Sequence, residues 1–188
     1  MPLALGDVAG KGPPAALLAA EIQGILATYS DLSRTAAATV THVNRTLCRR
    51  IIDSRFATML YGVLTCDGQL TYSNAGHNPP FPIGYGGIRR LETGGVVLGI
   101  FGDAAFEEET IQLDRGDVLV VFSDGVTEAM AENGAEFGDE RLLSCLTVHR
   151  EASPASLLDS VLGTVSEFTA GAMQSDDITS LVLRYKGS

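Results

Sequence analysis

The chain has 188 residues, 45% of them hydrophobic, and a formal net charge of -10 at pH 7. That apolar content is enough for one domain with a substantial core, and the acidic balance excludes a nucleic-acid or anionic-membrane surface, which would need a basic stripe. Three cysteines without a C-x-x-C spacing exclude a disulfide or zinc framework, and with no signal peptide and no apolar run of about 18 residues a soluble cytoplasmic protein is expected.

An apolar strand is expected over Leu3 to Val8, followed by a glycine turn. A helix over Ala15 to Tyr29 follows, started by Pro13-Pro14 where a missing N–H costs little. Ser33 is expected to cap a second helix running to about Arg50, with Val40, Val43 and Leu47 on one face. Two β-rich runs within residues 56–76 are separated by Asp67-Gly68, a hairpin signal. Short strands are expected at Ile88 to Leu91, Val96 to Leu98, Glu108 to Leu113 and Asp117 to Phe122. Beyond the last of these, "VTEAM" begins a helical turn, helices cover Asp139 to Leu146 and Pro154 to Thr169, and Ile178 to Tyr185 forms a closing strand. Tight turns between neighbouring strands imply antiparallel pairing, and helices cluster at the front and the back. That is an α+β pattern.

The opening "LALGDVAGKGPPAALL" looks at first like a nucleotide loop. A P-loop needs G-x-x-x-x-G-K-[ST], but Leu5 stands where the first glycine should be, and Gly12 follows Lys11 with no hydroxyl. Gly10, Gly12 and Ala15 satisfy a dinucleotide fingerprint, yet Pro13 and Pro14 remove the amide donors a pyrophosphate would need, and no βαβ unit follows. Nucleotide binding is not expected.

Asp7 then stands out, at the end of an apolar strand beside that turn. Asp124 follows "VLVVFS" and precedes a glycine, and Asp176 and Asp177 precede "ITSLVL". Each acid lies where an apolar strand meets a loop, on segments far apart in sequence. Convergence of such carboxylates calls for hard divalent cations, and oxygen-only ligands with few histidines point to Mg²⁺ or Mn²⁺ over zinc. The competing explanation is that "SDG" and "SDD" are turn and cap signals, and spacing alone does not choose between the two.

"GDVAGKGPPAALL", "FATMLYGVL", "YSNAGHNPP", "VVLGI", "GDVLVVFSDGVTEA", "FGDERL" and "SDDITSLVLR" occur in that order. Together they resemble the SpoIIE/RsbU-type bacterial serine/threonine phosphatases of the metal-dependent type 2C protein phosphatase superfamily, over essentially the whole chain. The resemblance implies a single phosphatase domain, a four-layer αββα sandwich of two antiparallel β-sheets flanked by helices, with a binuclear Mn²⁺ or Mg²⁺ centre. It implies that Asp7 bridges both metals, that the carbonyl of Val8 completes one of them, and that Asp124 and Asp176 are further ligands. Asp177 is a neighbour at the strand start, and Lys11 is either a phosphate-steering group or a plain exposed lysine. The implied reaction is hydrolysis of phosphoserine or phosphothreonine on a signalling protein of the anti-sigma antagonist type, by a metal-activated water. The alternative is a catalytically impaired relative that binds a partner without hydrolysis.

Three further expectations follow. Asn74, His77 and Asn78 hold a tight turn, while His42 and His149 are solvated. Family members carry an upstream strand pair with a G-G-D-x-x-D segment that this sequence lacks, so a weakened or empty metal site is expected, with a first-strand edge open to dimerisation. The Ala15 to Tyr29 helix, answering to an upstream sensor domain or regulatory protein, is expected to gate metal binding by moving Asp7.

Overall fold

The computed structural model describes residues 1–29, 35–49, 56–84, 86–172, 174 and 176–187. In chain order the elements are β1 (Pro2–Val8), α1 (Pro13–Tyr29), α2 (Ala36–Arg49), β2 (Ala57–Leu64), β3 (Gln69–Ala75), β4 (Phe81–Gly84) and β5 (Gly87–Ile88). They continue with β6 (Gly94–Gly95), β7 (Glu109–Gln112), β8 (Val118–Phe122), α3 (Asp124–Thr127), α4 (Gly138–Val148), α5 (Pro154–Thr169) and β9 (Ser180–Arg184). They fall into two compact units, one of residues 1–77 with 92–112 and one of residues 78–91 with 113–187.

In the first unit β1, β2 and β3 pair antiparallel in sequence, and β7 pairs with β3. The β2–β3 hairpin turns at the expected Asp67-Gly68, where Gly68 has φ 88°. Val40, Val43 and Leu47 recur at helical spacing and put one face of α2, with Leu18 and Ile22 of α1, into a core with Met59 and Tyr61 of β2. Burying each such side chain contributes about 1.5–3 kcal/mol. The first helix begins two residues earlier than the sequence suggested, taking both prolines into its first turn, where they are tolerated. The expected cap Ser33 and helix end Arg50 lie outside the described residues; the amide of Ala38 donates to Thr35 Oγ1 at 3.1 Å, which caps α2.

Two expected strands of this half differ. Val96 to Leu98 forms no strand; Leu98 makes a single bridge to Ala57, with hydrogen bonds of 2.8 and 3.1 Å. The sheet is extended instead by Gly94–Gly95, which pairs parallel to β3, the one departure from antiparallel order among the described strands. A Cβ on Gly94 would overlap the Asn74 carbonyl oxygen, so only glycine lets the chain pass there.

The second unit is an antiparallel sheet in the order β5-β4-β8-β9, packed by α4 and α5. β8 is buried at all five positions, which explains the unbroken apolar run VLVVF. Phe122 stacks on Phe81 at 5.4 Å, and Leu142, Leu146, Leu157, Val161 and Val165 close the core from the helices. α5 starts at Pro154, with the Ser156 amide donating to Ser153 Oγ at 3.1 Å, and ends at Ala170 in the left-handed conformation, φ 49°.

The expected strand Ile88 to Leu91 shrinks to Gly87–Ile88, and β4 has no counterpart among the sequence expectations. A proline inside a strand, here Pro82, ordinarily removes a ladder hydrogen bond. It is tolerated because the Pro82 carbonyl accepts from Arg89 N at 3.3 Å, so its nitrogen faces the short β5 side and costs no bond to β8. Two largely antiparallel sheets with their helices, as expected from the resemblance, are therefore present, one in each unit.

Candidate functional site

In the first unit, Asp7 lies one residue from the end of β1, in register opposite Thr58 of β2, and is exposed. The strand can approach β2 there because residue 6 is glycine; a Cβ would stand 2.6 Å from the Thr58 carbonyl oxygen. Pairing continues past Val8, since the Ala9 amide donates to Phe56 O at 3.0 Å. The chain then reverses through Gly10 and Gly12, at φ 95° and 82°, and enters α1. These glycines serve the left-handed turn and so explain the GKG spacing without a nucleotide. Asp7 and Val8 line a cavity of about 140 Å³ together with Ile22, Gln23 and Leu26 of α1 and Thr58. Lys11 is exposed in the turn.

The neighbouring turn is fixed by its own side chains, as expected. His77 N donates to Asn74 Oδ1 at 2.7 Å, and Asn74 Nδ2 donates to the His77 carbonyl at 2.9 Å. Buried His77 also shares a 2.9 Å hydrogen bond between Nδ1 and Thr58 Oγ1, which ties the turn to the residue opposite Asp7. Asn78 does not join this turn; its Nδ2 donates to Thr127 Oγ1 at 3.3 Å. His42, expected in solvent, instead stacks on Tyr29 with ring centroids 3.8 Å apart, linking the end of α1 to α2.

In the second unit the motifs around Asp124 and Asp176 prove to be halves of one junction. Buried Ser123 accepts from Thr179 N at 2.9 Å and donates through Oγ to the Asp177 carbonyl at 3.0 Å. Its own amide donates to Thr179 O at 2.9 Å. Next to it, Gly125 lies so close to the incoming segment that a Cβ would overlap the Asp177 carbonyl oxygen and stand 2.9 Å from its carbon. The serine clamps the segment and the glycine admits it, and Asp124 sits between them at the start of α3. Sequence reasoning singled out Asp124 and missed Ser123, whose role comes from contacts 54 and 56 positions away. On the other side of the junction, Asp176 Oδ1 accepts from the Asp177 amide at 2.8 Å, while the Asp177 backbone serves the clamp.

Charge accumulates at this junction. Partial burial pushes the Glu128 carboxyl above its usual range, and the carboxylates of Asp124, Glu136 and Asp176 push it further. A Cβ on Gly125 would also stand 3.4 Å from the Asp176 carbonyl carbon, so the backbones carrying Asp124 and Asp176 are neighbours, joined by two acids, Glu128 and Glu136, to which the sequence assigned no role. Among the described residues no group of three His, Cys, Asp or Glu side chains is arranged to hold a metal ion. The donor chemistry is nevertheless of the kind hard divalent cations take: the acids at this junction, Asp124, Glu128, Glu136 and Asp176, offer carboxylate oxygens.

The sequence profile of stage II sporulation protein E (SpoIIE) matches residues 1–186. The chain belongs to the SpoIIE family. It is 32% identical over 188 residues to the phosphoserine phosphatase RsbU of Bacillus subtilis (strain 168), covering 98% of this chain and 55% of RsbU. The chain thus spans about half the length of that relative. Among solved structures, the SiaA-PP2C domain of Pseudomonas aeruginosa superposes with a TM-score of 0.79 at 21% identity, covering 97% of this chain and 75% of that one. The RsbU and RsbW domains of Rv1364c from Mycobacterium tuberculosis superpose with a TM-score of 0.79 at 24% identity, covering 99% of this chain and 53% of that one. This SpoIIE-family chain thus has the fold of the type 2C phosphatase domains, and no helix among its described residues is long and apolar enough to cross a membrane.

Proposed function

We propose that this chain is a divalent-metal-dependent protein serine/threonine phosphatase that acts on a phosphoserine or phosphothreonine of a cytoplasmic signalling protein of the anti-sigma antagonist type. The observation that carries the reading is the junction at Ser123 and Gly125, which holds Asp124 and the 176–177 segment together in a chain of the SpoIIE family. In this reading Asp7, the Val8 carbonyl, Asp124 and Asp176 hold Mn²⁺ or Mg²⁺, with Asp177 and Lys11 as neighbours. Bound cations of this kind supply Lewis acidity at a phosphoryl group and acidify a water for in-line attack.

The chain's own residues do the remaining work. Asp124 and Asp176 present oxygen donors from two segments locked by hydrogen bonds through Ser123, so little reorganisation is needed when a phosphoryl group arrives. Glu128 and Glu136 add negative charge that disfavours an unaccompanied phosphate and makes cation binding a condition for substrate binding. Asp7 is carried by a strand whose register is fixed by seven paired positions with β2. An upstream sensor or regulatory protein acting through α1, which lines the cavity beside Asp7, and a second copy pairing with the β1 edge are the partners this reading admits.

The test is Mn²⁺-dependent cleavage of p-nitrophenyl phosphate and of a phosphoserine peptide by the full chain, with Asp124→Ala beside the wild type. Turnover that needs the metal and is lost in Asp124→Ala supports the phosphatase reading. Metal-independent turnover refutes the metal-dependent reading, and no turnover at saturating Mn²⁺ from a protein that still binds phosphopeptide transfers support to a partner-binding module.

A further inference from the structure

A cleft of about 250 Å³ opens beside the Asp124 junction, lined by Gly125, Ala129, Met130, Leu162, Val165 and Ile178, and continued by Thr169, Gly171, Ala172 and Gln174. Its walls are largely apolar, and two of them stay unusually open to solvent for their type: Met130 is 44% and Leu162 40% exposed. The cleft adjoins the acidic junction through two of its lining residues: Gly125 follows Asp124 directly, and Gln174 donates through Nε2 to the Asp176 carbonyl at 2.7 Å. At this volume it is smaller than the roughly 300–1,000 Å³ that encloses a drug-sized ligand. The neighbouring carboxylates of Asp124, Glu128, Glu136 and Asp176 disfavour a free anionic metabolite.

We propose that this cleft seats an apolar side chain adjoining the phosphorylated residue of the substrate protein, and so sets which phosphosites the enzyme selects. The occupant is a short peptide segment with one apolar residue beside the phosphoserine or phosphothreonine and basic residues farther out. The apolar side chain covers Met130 and Leu162, and the basic groups face Glu128 and Glu136. The inference rests on the phosphatase reading for its placement beside the phosphate, but peptide recognition itself does not require turnover. One apolar side chain gained or lost in such a pocket changes affinity by at least about tenfold.

The test uses the full chain with Mn²⁺ and two fluorescent peptides that carry a non-hydrolysable phosphoserine analogue and flanking lysines. One has leucine on both sides of the analogue and the other glycine. Fluorescence polarisation should give at least about tenfold tighter binding of the leucine peptide to the wild type, falling below about twofold in Leu162→Asn and in Met130→Gln. Both altered positions are more than a third exposed, so the variants fold, and a thermal melt verifies it. Equal binding of the two peptides by the wild type overturns the proposal, as does a preference that survives in both variants. Cleavage of p-nitrophenyl phosphate by the wild type, measured in parallel, reports the phosphatase reading separately. Loss of that turnover with peptide discrimination intact refutes the reading and leaves the cleft assignment standing.

Discussion

Replacing Ser123 with alanine removes one oxygen and nothing else from a buried position, yet that oxygen accepts from Thr179 N at 2.9 Å and donates to the Asp177 carbonyl at 3.0 Å. Two hydrogen bonds at about 1 kcal/mol each, plus a share of the desolvation cost of two half-buried backbone groups, give a destabilisation of about 2–3 kcal/mol. For a chain of this size that corresponds to a fall in Tm of roughly 4–12 °C. Thermal unfolding followed by circular dichroism checks this figure. A parallel Mn²⁺ titration checks the functional half, since a loosened 176–179 segment leaves Asp176 less firmly held and weakens metal binding. A Tm within about 2 °C of the wild type, with unchanged Mn²⁺ affinity, would refute the claim that Ser123 holds the two acidic segments together.

Gly125→Ala attacks the same junction from the other side: the added methyl overlaps the Asp177 backbone, and a loss of about 1–3 kcal/mol in urea unfolding is expected, with reduced Mn²⁺-dependent turnover. Asn44 is fully buried and holds the loop after β6, donating to Phe101 O at 2.7 Å and accepting from Gly99 N at 2.9 Å. Asn44→Ala should cost about 2–4 kcal/mol and raise amide exchange at residues 99–104, as read by hydrogen–deuterium exchange. Tyr72 is buried and donates to Glu109 Oε2 at 2.6 Å, and burial first, then the Glu109 carboxylate, raise its phenol above the usual range. Its folded value exceeds the unfolded one, so its contribution is complete below about pH 10 and is lost as pH rises through the folded value. Tyr72→Phe should therefore unfold more easily at neutral pH and show a flatter loss of stability under alkaline conditions in pH-dependent melts.

What the sequence revealed and what it hid divide along the range of the forces involved. The α2 face is legible because Val40, Val43 and Leu47 repeat with the helix, and β8 because an unbroken apolar run bounded by Asp117 and Ser123 is a buried strand. Asp7 and Asp124 were legible as acids at strand ends for the same reason. Long-range contacts were not. Pro82 lies in a strand because Arg89 satisfies its carbonyl on the side where its nitrogen faces, and Gly94 pairs with β3 because Asn74 leaves no room for a side chain. Ser123 looked like part of a turn signal, and its function depends on residues more than fifty positions away. Glu128 lies within the quoted "VTEA" run but carried no assigned role, and Glu136 lies outside every quoted segment; they matter through the charges they face.

The proposed phosphatase function requires that acids from separate strand ends act on the same cations. Calorimetric titration of Mn²⁺ into the wild type, Asp7→Asn, Asp124→Asn and the double variant tests it directly. If the cations are shared, either single substitution weakens Mn²⁺ binding by at least about tenfold, and the double variant is little worse than the weaker single one. Losses that simply add, or Mn²⁺ binding that Asp7→Asn leaves intact, would contradict the account.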